Sequence, residues 1–78
     1  MNIEIEYKNE QGEFDYVDVV LEGEFDYDYD FNGRKYTICE NIFWEKTEHT
    51  ENENKVIDKY INDNFSKLSD ELCQLYNG

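Results

Sequence analysis

Seventy-eight residues are enough for one small domain (residues 1–78), a size that buries only about 60% of the surface its unfolded chain exposes. Twenty acids against seven bases leave a net charge of −13, which excludes naked nucleic acid and an anionic membrane as direct partners. Thirteen aromatic residues and a clean period-two alternation exclude a disordered chain, since such chains lack the apolar side chains to build a core.

Asn2 to Lys8 sets Ile3, Ile5 and Tyr7 against Asn2, Glu4, Glu6 and Lys8, the pattern of a half-buried strand. Asn9-Glu10-Gln11-Gly12 supplies turn chemistry. Phe14 to Leu21 is a second strand with two readings of its facing: Phe14, Tyr16, Asp18 and Val20 inward, or Asp15, Val17, Val19 and Leu21 inward. The second keeps Asp18 in water and is preferred. Gly12-Glu13-Phe14-Asp15-Tyr16 returns eleven residues later as Gly23-Glu24-Phe25-Asp26-Tyr27, an echo too short to define a repeat architecture.

The third strand alternates without a fault: Phe25, Tyr27, Tyr29 and Phe31 on one face, Glu24, Asp26, Asp28 and Asp30 on the other. Asn32-Gly33 then predicts a two-residue type I′ turn, with Phe31 opposite Arg34, Asp30 opposite Lys35, Tyr29 opposite Tyr36, Asp28 opposite Thr37 and Tyr27 opposite Ile38. The fourth strand runs through Ile42, Phe43 and Trp44, with a bulge expected near Glu40-Asn41 where alternation falters. After a polar linker, Thr50 and Glu53 are spaced as a capping box, and Ile57, Ile61, Phe65, Leu68, Leu72 and Leu75 recur every three or four residues. The phase holds throughout, which predicts one helix over about residues 51–75, stopped by Asn77-Gly78; a break near Asn64–Ser69 is the alternative. The expected class is α+β: a four-stranded, mostly antiparallel sheet (about 2–8, 14–21, 24–31 and 35–45) with one long C-terminal helix laid over its aromatic face.

Charge is unevenly spread on that frame. Residues 1–33 hold eleven acids and one base; residues 34–78 hold nine acids and six bases. Glu24, Asp26, Asp28 and Asp30, with Glu4 and Glu6, therefore stand on the uncovered face or its edge. Residues two apart on a strand are separated by about 6.6–6.8 Å, and successive phosphates of one DNA strand by roughly 6–7 Å once rotation is added to the 3.4 Å rise. Charged faces and edges are ordinary devices against aggregation, but a solubility device mixes signs, and this row does not.

Other chemistry finds little footing. Asp28-Tyr29-Asp30-Phe31-Asn32-Gly33 opens like an EF-hand loop, yet Cys39 falls where the bidentate Glu belongs, so no metal site is expected. His49 is the only histidine and lies in a polar linker; no catalytic motif and no cofactor motif is present, and an enzyme is not expected. Cys39 and Cys73 read as free thiols in a reducing cytoplasm, there being no signal peptide and no apolar run long enough to span a bilayer; a single disulfide is the alternative.

Glu22-Gly23-Glu24-Phe25-Asp26-Tyr27-Asp28-Tyr29-Asp30, together with the overall composition, resembles the small acidic phage-encoded inhibitors that imitate DNA, the anti-CRISPR and anti-restriction proteins. The resemblance is one of charge and size rather than of shared motifs. It implies competitive occlusion of the basic nucleic-acid site of a CRISPR effector or restriction nuclease in a host cytoplasm, including the arginines that read the short motif beside a CRISPR target. Glu24, Asp26, Asp28 and Asp30 would be the phosphate surrogates, helped by Glu22, Asp15, Glu4 and Glu6. Arg34 and Lys35 interrupt the row at the hairpin tip. The other reading is an acidic interaction module (an immunity protein, antitoxin or regulatory subunit) for a basic partner unrelated to nucleic acid. The pattern leaves monomer and homodimer both open.

Overall fold

A computed structural model describes residues Met1–Asn77 and confirms the α+β class, but as two separate two-stranded antiparallel sheets with two helices. Strands β1 (Asn2–Lys8) and β2 (Phe14–Val20) form the first hairpin; β3 (Glu22–Tyr29) and β4 (Lys35–Phe43) form the second. Helices α1 (Glu51–Asp63) and α2 (Phe65–Asn77) follow a 3-10 turn at Lys46–Glu48. Helix α1 lies against β1, and α2 against β3 and β4, so each hairpin has its own helix.

The single four-stranded sheet is thus corrected, and Leu21 shows why. Its N–H and C=O both bond to Met1, at 2.8 and 2.9 Å, which aims the odd-numbered peptides of β2 at β1. In β3 the odd-numbered N–H groups of Tyr27 and Tyr29 instead point away from β4, to the carboxylates of Asp26 and Asp28. The β2–β3 stretch is therefore one extended line of chain with β1 on one edge and β4 on the other, and the two hairpins point in opposite directions from Leu21. Sixteen residues from Phe14 to Tyr29 would span about 53 Å at 3.3 Å each. The molecule's longest dimension is 53 Å, and its radius of gyration of 15.0 Å exceeds the roughly 11–12 Å of a compact chain this long.

Parity carries through Leu21. Val17, Val19 and Leu21 are buried with Ile5 and Ile42 against Ile57, Ile61, Leu68 and Leu72, while Phe14, Tyr16 and Val20 are exposed. The preferred facing of β2 is the one adopted. Gly23 continues the inner face, and the Phe25 ring folds over it: a Cβ there would lie 2.8 Å from that ring.

Both hairpins use the same turn. Asn9 Oδ1 accepts from the N–H of Gln11 and Glu13, and Asp30 Oδ1 from the N–H of Asn32 and Arg34. Gly12 and Gly33 take φ of 79° and 78°, and no other described residue has positive φ. A type I′ turn needs positive φ at Asn32 as well; the Asp30 carboxylate instead stabilises a three-residue loop closed by a left-handed glycine. The register moves by one, to Tyr29 opposite Lys35, Asp28 opposite Tyr36, Tyr27 opposite Thr37 and Asp26 opposite Ile38. The expected bulge is present, with Glu40 as the extra residue between Asn41 and Cys39. The eleven-residue echo has no structural counterpart, since Gly12 closes a turn and Gly23 lies within a strand.

The single long helix is also corrected. Asn64 ends α1 with φ −125° and ψ 22°, its amide side chain donating to the Tyr60 carbonyl at 2.9 Å. A side chain that bonds its own preceding turn competes with helix continuation. The apolar stripe stays in phase because Leu68 and Leu72 still reach the same core. The capping box forms as expected, with Thr50 and Glu53 bonded reciprocally. Helix α2 runs to Asn77, and Gly78, the other half of the expected stop, lies outside the described residues.

Leu21 is fully buried where both hairpins meet. Leu21→Ala should cost about 3–5 kcal/mol, and thermal unfolding followed by circular dichroism should show Tm falling by more than about 10 °C. The same change at Val20, on the outer face, should move it by only a few degrees.

Candidate acidic interaction face

The face turned away from the helices is built from the even positions of the β2–β3 line: Phe14, Tyr16, Asp18, Val20, Glu22, Glu24, Asp26 and Asp28. Glu22, Glu24, Asp26 and Asp28 form an unbroken run at the two-residue pitch, about 20 Å from first to last. Asp18 continues it beyond Val20, directly opposite Glu4, with Glu6 opposite Tyr16. Every one of these acids is exposed.

The one-residue shift in register decides the character of this face. Moving a pairing by one residue turns each side chain to the other side of the sheet. Lys35 consequently leaves the acid row: its ammonium sits 3.8 Å from the centre of the Tyr27 ring, on the helix side. Tyr36 and Ile38 take the places opposite Asp28 and Asp26. Arg34 now stands opposite Asp30 at the hairpin end, but among the described residues the charged contacts are Lys55–Glu51 and His49–Glu53, so no carboxylate of the run from Glu22 to Asp28 is ion-paired.

Two of the carboxylates are also held in place. Asp26 Oδ1 accepts from Tyr27 N–H at 2.7 Å and Asp28 Oδ1 from Tyr29 N–H at 2.8 Å. These N–H groups line the unpaired edge of β3, which would otherwise be open to another strand. Each carboxylate thus blocks the edge with one oxygen while the residue stays exposed. Asp15 does the same for Tyr16 N–H on β2.

The eight nominated positions do not all meet. Glu22, Glu24, Asp26, Asp28, Glu4 and Glu6 share the face. Asp30 sits at its end with one oxygen engaged by the turn. Asp15 belongs to the helix side, opposite Tyr7, where burial first and the Asp15 carboxylate second push the Tyr7 phenol up. The same alternation that buries Val17 puts it there. Asp18 was missed, although its parity with Glu22 across Leu21 was the available signal. The face is not purely acidic: Phe14, Tyr16 and Val20 are exposed on the first hairpin, Tyr36 and Phe43 on the second.

The remaining chemistry is structural. Burial, with the Cys73 thiol nearby, pushes the Cys39 thiol up, the reverse of an activated nucleophile. Cys39 and Cys73 are free, and Cys73 Sγ donates weakly to the Thr37 carbonyl. His49 lies within 3.9 Å of Glu53. Among the described residues no three His, Cys, Asp or Glu side chains are grouped to hold a metal ion. No helix among the described residues is long and apolar enough to cross a membrane. No family model, curated protein or solved structure matches the chain.

Asp28 is the largest influence on Tyr36, whose phenol it pushes above its ordinary 10.0. Asp28→Asn should bring the Tyr36 titration back toward 10.0, read by ultraviolet difference titration, whereas Glu24→Gln should leave it in place. Because the folded-state value is the raised one, what neutral Tyr36 adds to stability is complete below the unfolded pKa and is lost as pH climbs through the folded value.

Proposed function

We propose that this chain is an acidic DNA-mimic inhibitor that occludes the basic nucleic-acid-binding site of a DNA-handling host-defence enzyme, a CRISPR effector or a restriction nuclease. The observation that carries this reading is the cation-free run Glu22, Glu24, Asp26 and Asp28, at near-phosphate pitch on one open face. Asp26 and Asp28, fixed by their edge hydrogen bonds, lose less freedom when an arginine or lysine meets them. Charge-assisted pairs with such groups speed association and weaken as salt rises. In this reading the partner is a basic protein of the host cytoplasm, and the chain carries out no catalysis, needs no cofactor and touches neither nucleic acid nor membrane itself.

A second reading, an interaction module for a basic protein that does not handle nucleic acid, draws support from Phe14, Tyr16, Tyr36 and Phe43 on the same face. Aromatic anchors concentrate binding energy in protein interfaces, and DNA presents no counterpart to them.

The triple variant Asp26→Asn, Asp28→Asn, Asp30→Asn is a clean probe, because each amide oxygen can still accept the backbone hydrogen bond that its carboxylate accepts. The variant should stay folded, with Tm up by about 2–5 °C at low ionic strength as repulsion is relieved. In pull-downs from bacterial lysate, the native chain should retain a DNA-handling enzyme that duplex DNA elutes and the triple variant fails to hold. Retention of one partner indifferent to both DNA and the triple change would abandon mimicry in favour of the second reading.

A further inference from the structure

We infer that the aromatic, helix-side face at the far end of the β3–β4 hairpin is where two copies of this chain associate. The two hairpins are built alike, but they are covered unequally. In the first, Tyr7, next to the turn, packs with Val56 and Tyr60 against the core. In the second, α2 ends where Tyr76 stacks on Phe25 at 4.3 Å and shares a 3.3 Å hydroxyl contact with Tyr27. Beyond that point Tyr29 is 63% exposed and Phe31 104%, and Tyr76 itself keeps 53% of its surface bare. The turn itself does not call for a phenylalanine, since Glu10 holds the equivalent place in the first hairpin's identical turn. A two-stranded ribbon left bare is only marginally stable in water.

Charge selects the occupant. A partner with the same net charge of −13 is repelled nearly everywhere, because the open sheet face holds the acid row. The helix-side end of the second hairpin is different: Tyr27, Tyr29, Lys35, Thr37, Tyr76 and Asn77 bring no acidic side chain to it. Lys35 is tucked over the Tyr27 ring, and Thr37 is bonded to Asn77 at 2.9 Å. A second copy can therefore approach here with its own acid row turned outward. Aromatic side chains offer about 150–250 Å² each, so the bare part of Tyr27, Tyr29, Phe31 and Tyr76 is about 500 Å² per copy. About 1,000 Å² over two copies is the least that a specific interface needs. The inference rests on the aromatic face and holds whatever the acid row binds.

Sedimentation velocity of the native chain, from low to high micromolar concentration, should show the mass rising from 9.5 kDa toward twice that value. Association should tighten between about 0.15 M and 1 M NaCl, as the mutual repulsion is screened. Tyr29→Ser with Phe31→Ser, both solvent-exposed changes, should weaken dimerisation at least about tenfold with an unchanged circular dichroism spectrum. Phe14→Ser with Tyr16→Ser, on the opposite face, should leave it as it is. A mass of 9.5 kDa at every concentration and salt, a dimer that dissociates as salt rises, or a Tyr29/Phe31 variant that dimerises like the native chain would each overturn the assignment.

Discussion

Everything in this molecule depends on one strand-length constraint: side-chain alternation that runs unbroken from Phe14 to Tyr29 through the buried Leu21. A strand gives its residues only two directions. Once Leu21 is inside, Val17, Val19, Gly23, Phe25 and Tyr27 must face the helices, and Asp18, Glu22, Glu24, Asp26 and Asp28 must face water. Apolar burial at the odd positions thus places like charges side by side at the even ones. The repulsion is the cost of the arrangement, borne by a core of nine buried hydrophobic side chains.

A second constraint, far smaller in extent, sets what that acid row can do. Asp30 fixes the turn with two backbone hydrogen bonds, and the turn fixes the register of β4. With a two-residue turn Lys35 would stand opposite Asp30; with a three-residue turn it rests on the Tyr27 ring and Arg34 takes that place. One carboxylate therefore decides which side chains stand opposite its neighbours, Tyr36 at Asp28 and Ile38 at Asp26. The same residue type guards the sheet edge at Asp15, Asp26 and Asp28, so acids here serve as turn caps, edge blocks and surface charge at once.

Strand positions, the facing of β2, the bulge at Glu40 and the Thr50–Glu53 cap were legible because each is written in local periodicity or in a pair of residues a few places apart. The division into two sheets was not, because it depends on which edge of the β2–β3 line each neighbour takes, and period two is silent about edges. Nor was the helix break: the stripe from Ile57 to Leu72 keeps its phase across Asn64, whose side-chain hydrogen bond to Tyr60 leaves no mark in hydrophobicity. Asn32-Gly33 carried a strong turn signal that the Asp30 carboxylate overrode. Of the nominated acids, Asp15 stands on the helix side, a placement available in the sequence, since it shares parity with Val17. Asp18 escaped notice because β2 and β3 read as separate strands rather than as one line.

The most direct test of the account is a competition measurement on the captured enzyme: the apparent affinity of this chain for it, determined as duplex DNA is added in rising amounts. Occlusion by a phosphate-like row predicts an apparent Kd that climbs in proportion to DNA concentration without reaching a plateau. An apparent Kd indifferent to DNA would contradict it, and the exposed aromatics, not the carboxylates, would then define the interface.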